Sequence, residues 1–410
     1  MVDVLIIGGG AAGLAAAVHL ARSGQRIMIL EKNPRVGKKL LATGNGRCNY
    51  TNLEAGSKDY YGENPFFIES VLSQYSPEDA IDFFRSLGIE PKKEEDGKVF
   101  PLSEQASSFL DAFLLELEEL KIPILTDREV TSIEPGFTVH TKEHKYRAKA
   151  LIFCPGGNSM PASGSDGKSY RMVTKLGHTL IDPFPSLVQL NLEGDFFKRI
   201  DGVKIKGLAK LLSGEEILQE ERGDLLFTKY GISGPPILQL SRQAGKLLQQ
   251  GQKAELLLSL YEMETSDMLS TLMERRSHFS HRDNDSFLIG LVHKRLIGAF
   301  LFILGVSFKE KAYSLSDDHL KRLAELLTAW RLPITGNQGY KTSQATAGGI
   351  STSDVDPQTL ESKLVPGLFF AGEVLDVDGR CGGYNLQWAW ASAYVSAKAI
   401  KEYLCYDYKT

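Results

Sequence analysis

The stretch VDVLIIGGGAAGLAAAVHLARSGQRIMILEK, Val2 to Lys32, constrains the fold of this chain more than any other. Val4 to Ile7 is an unbroken apolar run, the pattern of a strand covered on both faces. Gly8, Gly10 and Gly13 come next as G-x-G-x-x-G, and Ala11 to Arg22 reads as an alanine-rich helix with Gly24 at its expected C′ position. A second apolar run, Ile27 to Leu30, ends in Glu31. Each part has a mechanical role. Gly8 permits a tight turn, Gly10 leaves room for a pyrophosphate, and Gly13 lets helix and strand pack closely. The free N–H groups and positive end of the helix dipole then meet the phosphates. Glu31 stands where such folds place a carboxylate that accepts from ribose hydroxyls. A lone G-x-G-x-x-G is weak evidence, but strand, glycines, helix, strand and acid in this order predict an adenine dinucleotide site. A carboxylate at Glu31 disfavours the 2′-phosphate of NADP, which leaves NAD and FAD open.

The segment after Glu31 separates these two. A plain NAD-binding domain continues with a helix and a third strand, whereas this chain runs on as KNPRVGKKLLATGNGRCNYTN, a basic and glycine-rich loop. Lys38, Lys39 and Arg47 can offset pyrophosphate charge, and a Gly/Asn backbone can line a flat ring system without bulky side chains. Near the other end, Leu368 to Ala371 reads as a short buried strand, Gly372-Glu373 as a turn, Gly382-Gly383 as a nest of backbone donors, and Asn385 to Ile400 as a helix. In two-halved FAD folds the last strand and helix return to the first strand. Their acid, here Glu373, meets cofactor hydroxyls, and the helix start at Gly383 to Leu386 points its positive end at the flavin.

Five motifs, IIGGGAAGLAAA, GKKLLATGNGRCNYTN, LLFTKYGISGPPILQLS, TAGGISTSDVDPQTLESKLVPGLFFAGEVLDVDG and GGYNLQWAWASAYVSAKA, span nearly the whole chain. In this order they resemble the BaiN-like bacterial FAD-dependent oxidoreductases, a branch of the superfamily that also holds the succinate dehydrogenase flavoprotein and includes aminoacetone oxidase. The resemblance implies an α/β fold: a two-halved Rossmann-like FAD-binding domain with an inserted β-barrel and a helical subdomain. The expected boundaries are 1–186 and 339–410 for the FAD-binding domain, 187–262 and 325–338 for the barrel, and 263–324 for the helical part. Carried over residue by residue, the expected FAD contacts are Gly8, Gly10, Ala11, Ala12, Gly13, Glu31, Lys32, Lys38, Lys39, Leu40, Thr43, Gly44, Asn45, Gly46, Arg47, Cys48 and Asn49. To these are added Val130, Gly156, Gly372, Glu373, Gly382, Gly383, Asn385 and Leu386. Two departures stand out. The chain has CPGG, Cys154 to Gly157, where Ala-Thr-Gly-Gly is usual, so Pro155 removes a backbone donor, and TGNGRCN replaces Ser-Gly-Gly-Gly-Arg-Cys-Asn.

The middle of the chain changes character. Short alternating runs separated by Gly, Asp and Ser-Gly turns predict an antiparallel β-barrel or sheet. From Ser266 the pattern becomes helical, including SLSDDHLKRLAELLTAWRLP with Pro333 as its expected stop. The apolar segment Leu296 to Val306 is too short to span a bilayer and reads as a buried helix.

Composition narrows the functional class. A net charge of −4 gives no basic footprint for nucleic acid, and the four cysteines Cys48, Cys154, Cys381 and Cys405 have no metal or C-x-x-C spacing. The histidines lack metal spacing too, so no metal is expected, and the free thiols fit a cytoplasmic chain. The expected activity is hydride transfer between a small organic substrate and flavin N5. By resemblance the substrate is an amine such as aminoacetone or a conjugated enone, with oxygen or NAD(P)H in the other half-reaction. The alternatives are a flavoprotein of nucleic-acid (tRNA) modification and a non-catalytic flavin binder. Arg47, Cys48 and Tyr384 are the candidates for catalytic roles, with packing beside the flavin the simpler role for Cys48 because it has no partner cysteine or histidine nearby.

Overall fold

The computed structural model describes residues 1–407. The chain forms two compact units, Met1–Pro185 joined by the segment from Gln344 onward, and Ser186–Ser343. In the first unit the elements that matter are β1 (Val2–Ile7), α1 (Ala11–Arg22), β2 (Ile27–Leu30), β3 (Ile124–Leu125), β4 (Lys145–Phe153), β5 (Leu368–Phe370) and α2 (Tyr384–Asp407). The strands lie parallel in the order β3-β2-β1-β4-β5. A hairpin of Val130–Glu134 and Thr138–Thr141 pairs antiparallel with the first half of β4. The register aligns the carboxyl ends: Ile7 lies beside Leu30 and Phe153, and Phe153 lies beside Phe370. The residues that leave the sheet there, Gly8, Glu31, Cys154 and Ala371, are therefore neighbours in space. In an open parallel sheet this edge is where ligands bind.

The sheet forms because β1 is apolar on both faces, with Val4, Leu5 and Ile6 fully buried. On it lies α1, whose buried Ala15, Ala16 and Ala17 allow close packing against α2. Gly24, at φ 85°, ends α1 as expected of a C′ glycine. The second helix is apolar on most sides, burying Trp388, Trp390, Val395, Ile400 and Leu404, as a central helix must.

In the second unit Leu190–Leu192, Gly231–Ser233, Glu216–Thr228, Lys204–Ser213, Glu255–Ser259 and Trp330–Asn337 close, in that order, into an antiparallel barrel. The helices Thr265–Phe279, Lys294–Leu304 and Asp317–Thr328 do not build a separate core. Trp330 of the barrel packs with Phe196, Phe227 and Phe300, and Leu320, Leu323 and Leu327 join the same cluster. Pro333 does not stop the last helix, contrary to the expectation from sequence. That helix ends at Thr328, and Trp330, Leu332, Pro333 and Ile334 continue as a strand in which Pro333 pairs with Glu255. The alternation of buried Trp330, Leu332 and Ile334 has the strand period of two, which overrides the helical pattern before it. The expected buried helix at Leu296 to Val306 appears as Lys294–Leu304, with Leu296, Ile297, Phe300 and Leu301 buried. Among the described residues no helix is long and apolar enough to cross a membrane.

Candidate functional site

A cleft of about 360 Å³ opens at the carboxyl ends of β1, β2, β4 and β5. Its first wall is the glycine turn, and the three glycines prove to have different reasons. Gly8 sits at φ 111°, and a Cβ there would lie 2.5 Å from the Cys154 carbonyl oxygen. A Cβ at Gly13 would lie 2.0 Å from the Gly8 oxygen. Both are therefore required by the protein's own packing. Gly10 differs: its φ of −86° suits any residue, and no protein atom lies within 4 Å of a Cβ built on it. What Gly10 leaves open is the cleft itself, in front of the N-terminus of α1, which no side chain caps.

Glu31, 8% exposed, anchors this turn to the end of β2. Its carboxylate accepts the Gly9 N–H at 2.8 Å, the Asn33 N–H at 2.8 Å and the Asn33 amide at 2.7 Å. A carboxylate has roughly four acceptor directions, so one remains toward the cleft. From there the chain runs along the cleft through Lys32, Lys38, Lys39, Leu40 and Thr43. Lys32 pairs with Asp166 at 2.8 Å, Lys38 donates to the Ala162 carbonyl at 2.8 Å, and Lys39 pairs with Glu373 at 2.6 Å. The last contact ties the first half of the unit to the segment after β5.

The far wall comes from Cys154 to Gly156, Ser163 to Ser165, and Gly372, Glu373, Asn385 and Leu386. Pro155 has no N–H, so donors of this turn begin at Gly156, at φ 83°. α2 holds Gly372 in place: its N–H donates to Ser392 Oγ at 2.8 Å and its carbonyl accepts from Trp388 Nε1 at 3.2 Å. Glu373 also accepts the Thr346 N–H at 2.8 Å. Asn385 both accepts from and donates to the Gly379 backbone, bracing the loop before α2.

Of the residues expected to contact the cofactor, Gly8, Gly10, Ala11, Ala12, Glu31, Lys32, Lys38, Lys39, Leu40, Thr43, Val130, Gly156, Gly372, Glu373, Asn385 and Leu386 line this one cleft. The others do not. Gly13 lies behind the glycine turn. Gly44, Asn45, Gly46, Arg47, Cys48 and Asn49 curl on themselves, with left-handed φ at Gly44, Asn45, Gly46 and Cys48, and a Cβ on Gly44 would lie 2.7 Å from the Asn49 nitrogen. The glycines and asparagine of this loop are thus needed for the coil rather than for the cleft wall. Arg47 pairs with Glu94 at 3.0 Å and Glu104 at 2.8 Å and lies 4.0 Å over the Phe100 ring. Cys48 is fully buried, which pushes its thiol up to about 12. Gly382 and Gly383 lie outside the lining, and a Cβ on Gly383 would lie 2.4 Å from the Thr51 oxygen. Tyr384, 7% exposed and also outside the lining, has its phenol pushed up to about 12 by burial.

Three features escaped sequence reasoning. Asn33, two residues past Glu31, orients that carboxylate, and a polar residue at this offset is the one signal that pointed to it. Ser165 and Arg128 line the cleft with a buried hydroxyl and a buried Nε that find no partner. The cleft is also strongly basic: Lys32, Arg35, Lys38, Lys39, Arg128, Lys142, Lys168 and Arg171 line it with the acids Glu31, Glu129 and Glu373, and Asp166 pairs with Lys32 and Lys168. An open cradle at Gly10, uncapped helical N–H groups, an oriented carboxylate and unpartnered cationic donors together fit an extended, pyrophosphate-bearing dinucleotide.

Comparison with known proteins agrees with this geometry. The family described as HI0933-like protein Rossmann domain matches residues 2–399. A 3-dehydro-bile acid delta(4,6)-reductase of Clostridium scindens is 37% identical over 403 residues, covering 97% of this chain and 98% of the relative. A ribosomal RNA dihydrouridine synthase of Haemophilus influenzae is 32% identical over 406 residues, again covering 97% and 98%. Among solved structures, a 3-ketosteroid delta1-dehydrogenase from Sterolibacterium denitrificans shares the fold at a TM-score of 0.53, with 12% identity and coverage of 98% of this chain and 99% of that one.

Proposed function

Since this chain belongs to the HI0933-like protein Rossmann family of FAD-dependent oxidoreductases, we propose that it reduces a carbon–carbon double bond conjugated to a carbonyl in a small organic substrate. The observation that carries this reading is the full-length similarity to a protein named as a delta(4,6)-reductase. The second relative, named as a dihydrouridine synthase, points to the same bond chemistry, because forming a dihydrouridine saturates a double bond conjugated to a ring carbonyl. A small substrate is preferred over RNA for the chain's net charge of −4. Amine oxidation draws no support from either relative's name.

In this proposal the glycine turn and the start of α1 hold the pyrophosphate, Glu31 a ribose hydroxyl, and Val130 borders the adenine. Glu373, Gly372 and the start of α2 serve the flavin half. FAD held there would supply hydride chemistry once reduced by NAD(P)H or another donor, and the protein would have to deliver a proton to the substrate's α-carbon. Of the three catalytic candidates, Arg47 is held by two carboxylates and Cys48 is sealed in the core. Tyr384 keeps its proton at neutral pH and immediately precedes cleft-lining Asn385, so it is the proposed proton donor.

Anaerobically reduced protein mixed with a 4-en-3-one or 4,6-dien-3-one steroid should reoxidise within the mixing time course and yield, per flavin, the product with one double bond fewer: the saturated ketone from the enone and a mono-enone from the dienone. Tyr384→Phe should slow that step about 100-fold or more while FAD remains bound. If reduced protein ignores the ketones but reoxidises with a uridine-containing ribosomal RNA fragment, the substrate is RNA. If oxidised protein is instead bleached by aminoacetone, the reading as a reductase is wrong.

A further inference from the structure

The basic residues of the cleft exceed what a bound dinucleotide requires. The phosphates have the N-terminus of α1 and the lysines at 38 and 39, yet the outer part of the cleft adds Arg35, Arg128, Lys142, Lys168 and Arg171. Arg128 and Lys142 flank the paired end of the hairpin, where Val130 lies beside Thr141, and Arg171 lies on the short helix Tyr170–Thr174. Lys168 shares Asp166 with Lys32. The side chains of Arg35, Lys142 and Arg171 make no hydrogen bond or ion pair among the described residues, and all three are exposed.

Exposed cations of this kind contribute little to affinity at contact, because water screens each one and its side chain remains free. Their summed field is different. Charges of one sign around a concave opening focus the potential into it and raise the encounter rate of an oppositely charged ligand by roughly 10- to 1,000-fold. That matters here because the whole chain carries −4 and would otherwise repel an anionic cofactor at a distance. Even with Asp166 paired to Lys32 and Lys168, the eight basic residues of the lining outnumber its three acidic ones, an excess of positive charge on a chain whose net charge is −4.

From the unpaired basic collar of Arg35, Lys142 and Arg171 at the mouth of the cleft, we infer that these residues steer FAD into its site, acting on the rate of loading rather than on the lifetime of the complex. This rests on the FAD reading above. The full chain, stripped of flavin, is mixed with FAD in a stopped-flow instrument and the change in flavin fluorescence is followed at several salt concentrations. The association rate constant should fall about tenfold or more between low and moderate salt. The triple variant Arg35→Ser, Lys142→Ser, Arg171→Ser should load about tenfold more slowly at low salt, lose most of the salt dependence, and release FAD at a rate within about twofold of the parent. An association rate indifferent to salt overturns the inference even if the variant does not fold. So does a variant whose defect lies wholly in faster release, which would make these residues contacts. Failure of the parent chain to take up FAD at all would instead refute the cofactor assignment.

Discussion

Gly10→Val separates a glycine kept for the ligand from glycines kept for the fold. At Gly10 the backbone has φ −86° and ψ −166°, an extended conformation open to valine, and no protein atom lies within 4 Å of the added Cβ. The cost to the protein without ligand is therefore confined to a poorer helix N-cap, about 1 kcal/mol or less. The three added carbons stand in the open space before the start of α1, where the pyrophosphate must approach. FAD at 100 times its dissociation constant stabilises the protein by about 2.7 kcal/mol, which corresponds to roughly 5–10 °C in Tm for a unit of this size. The parent should show that upshift when FAD is added to the stripped protein, and Gly10→Val should show none while unfolding alone within a few degrees of the stripped parent. Gly13→Ala is the contrasting variant. Its Cβ meets the Gly8 oxygen at 2.0 Å, so it should lower the Tm of the stripped protein itself, by an amount equivalent to about 1–3 kcal/mol. Differential scanning fluorimetry with and without FAD reads all three proteins. A Gly10→Val protein that purifies yellow with one FAD per chain, or that keeps the thermal upshift, would refute the cleft as the pyrophosphate site.

Buried titratable groups give two further expected outcomes. His19 on α1 packs against Phe83 at 4.4 Å between ring centroids, and burial, aided by Arg22, lowers its pKa from 6.5 to about 4. The neutral form is the one the fold prefers, so this contribution is complete above pH 6.5 and is lost as the pH falls toward 4, reaching about 3 kcal/mol. Urea denaturation at pH 7 and pH 4.5 should reveal the loss, and His19→Phe should flatten that part of the pH profile; an unchanged slope in the variant would rule His19 out as its source. Cys48 is sealed and its thiol pushed up to about 12, whereas Cys405 is exposed, so a thiol-specific disulfide reagent should label Cys405 readily and leave Cys48 untouched until the protein is denatured. Rapid modification of Cys48 in the native protein, read by peptide mass mapping, would contradict its placement.

How much of the site is legible in the sequence depends on how local the cause is. Gly8, Gly10, Gly13 and Glu31 are legible because a turn, a helix start and a strand end within one short segment fix their own geometry. The strands Val2–Ile7 and Ile27–Leu30 and the helix between them appear within a residue or two of their expected limits. The loop from Gly44 to Asn49 misleads for a related reason: glycine and asparagine report a need for positive φ, but not what that need serves. Here it serves a coil that closes on Asn49, while Arg47 turns to Glu94, Glu104 and Phe100. Pro333 misleads because a strand tolerates proline where no ladder bond needs its N–H, here next to Ile334, where the pairing with Leu190–Leu192 ends.

By itself the sequence determined a dinucleotide-binding strand-turn-helix, an acid at the end of its second strand, and a second glycine-bearing segment at the far end of the chain. Those features rest on backbone conformation and spacing, which neighbours along the chain control. Only the tertiary structure decided that Lys39 meets Glu373 and that Asn33 orients Glu31. It alone gathers Arg35, Arg128, Lys142 and Arg171 at one opening. Such meetings depend on strand register and on which way side chains leave the sheet, and no run of consecutive residues carries that information.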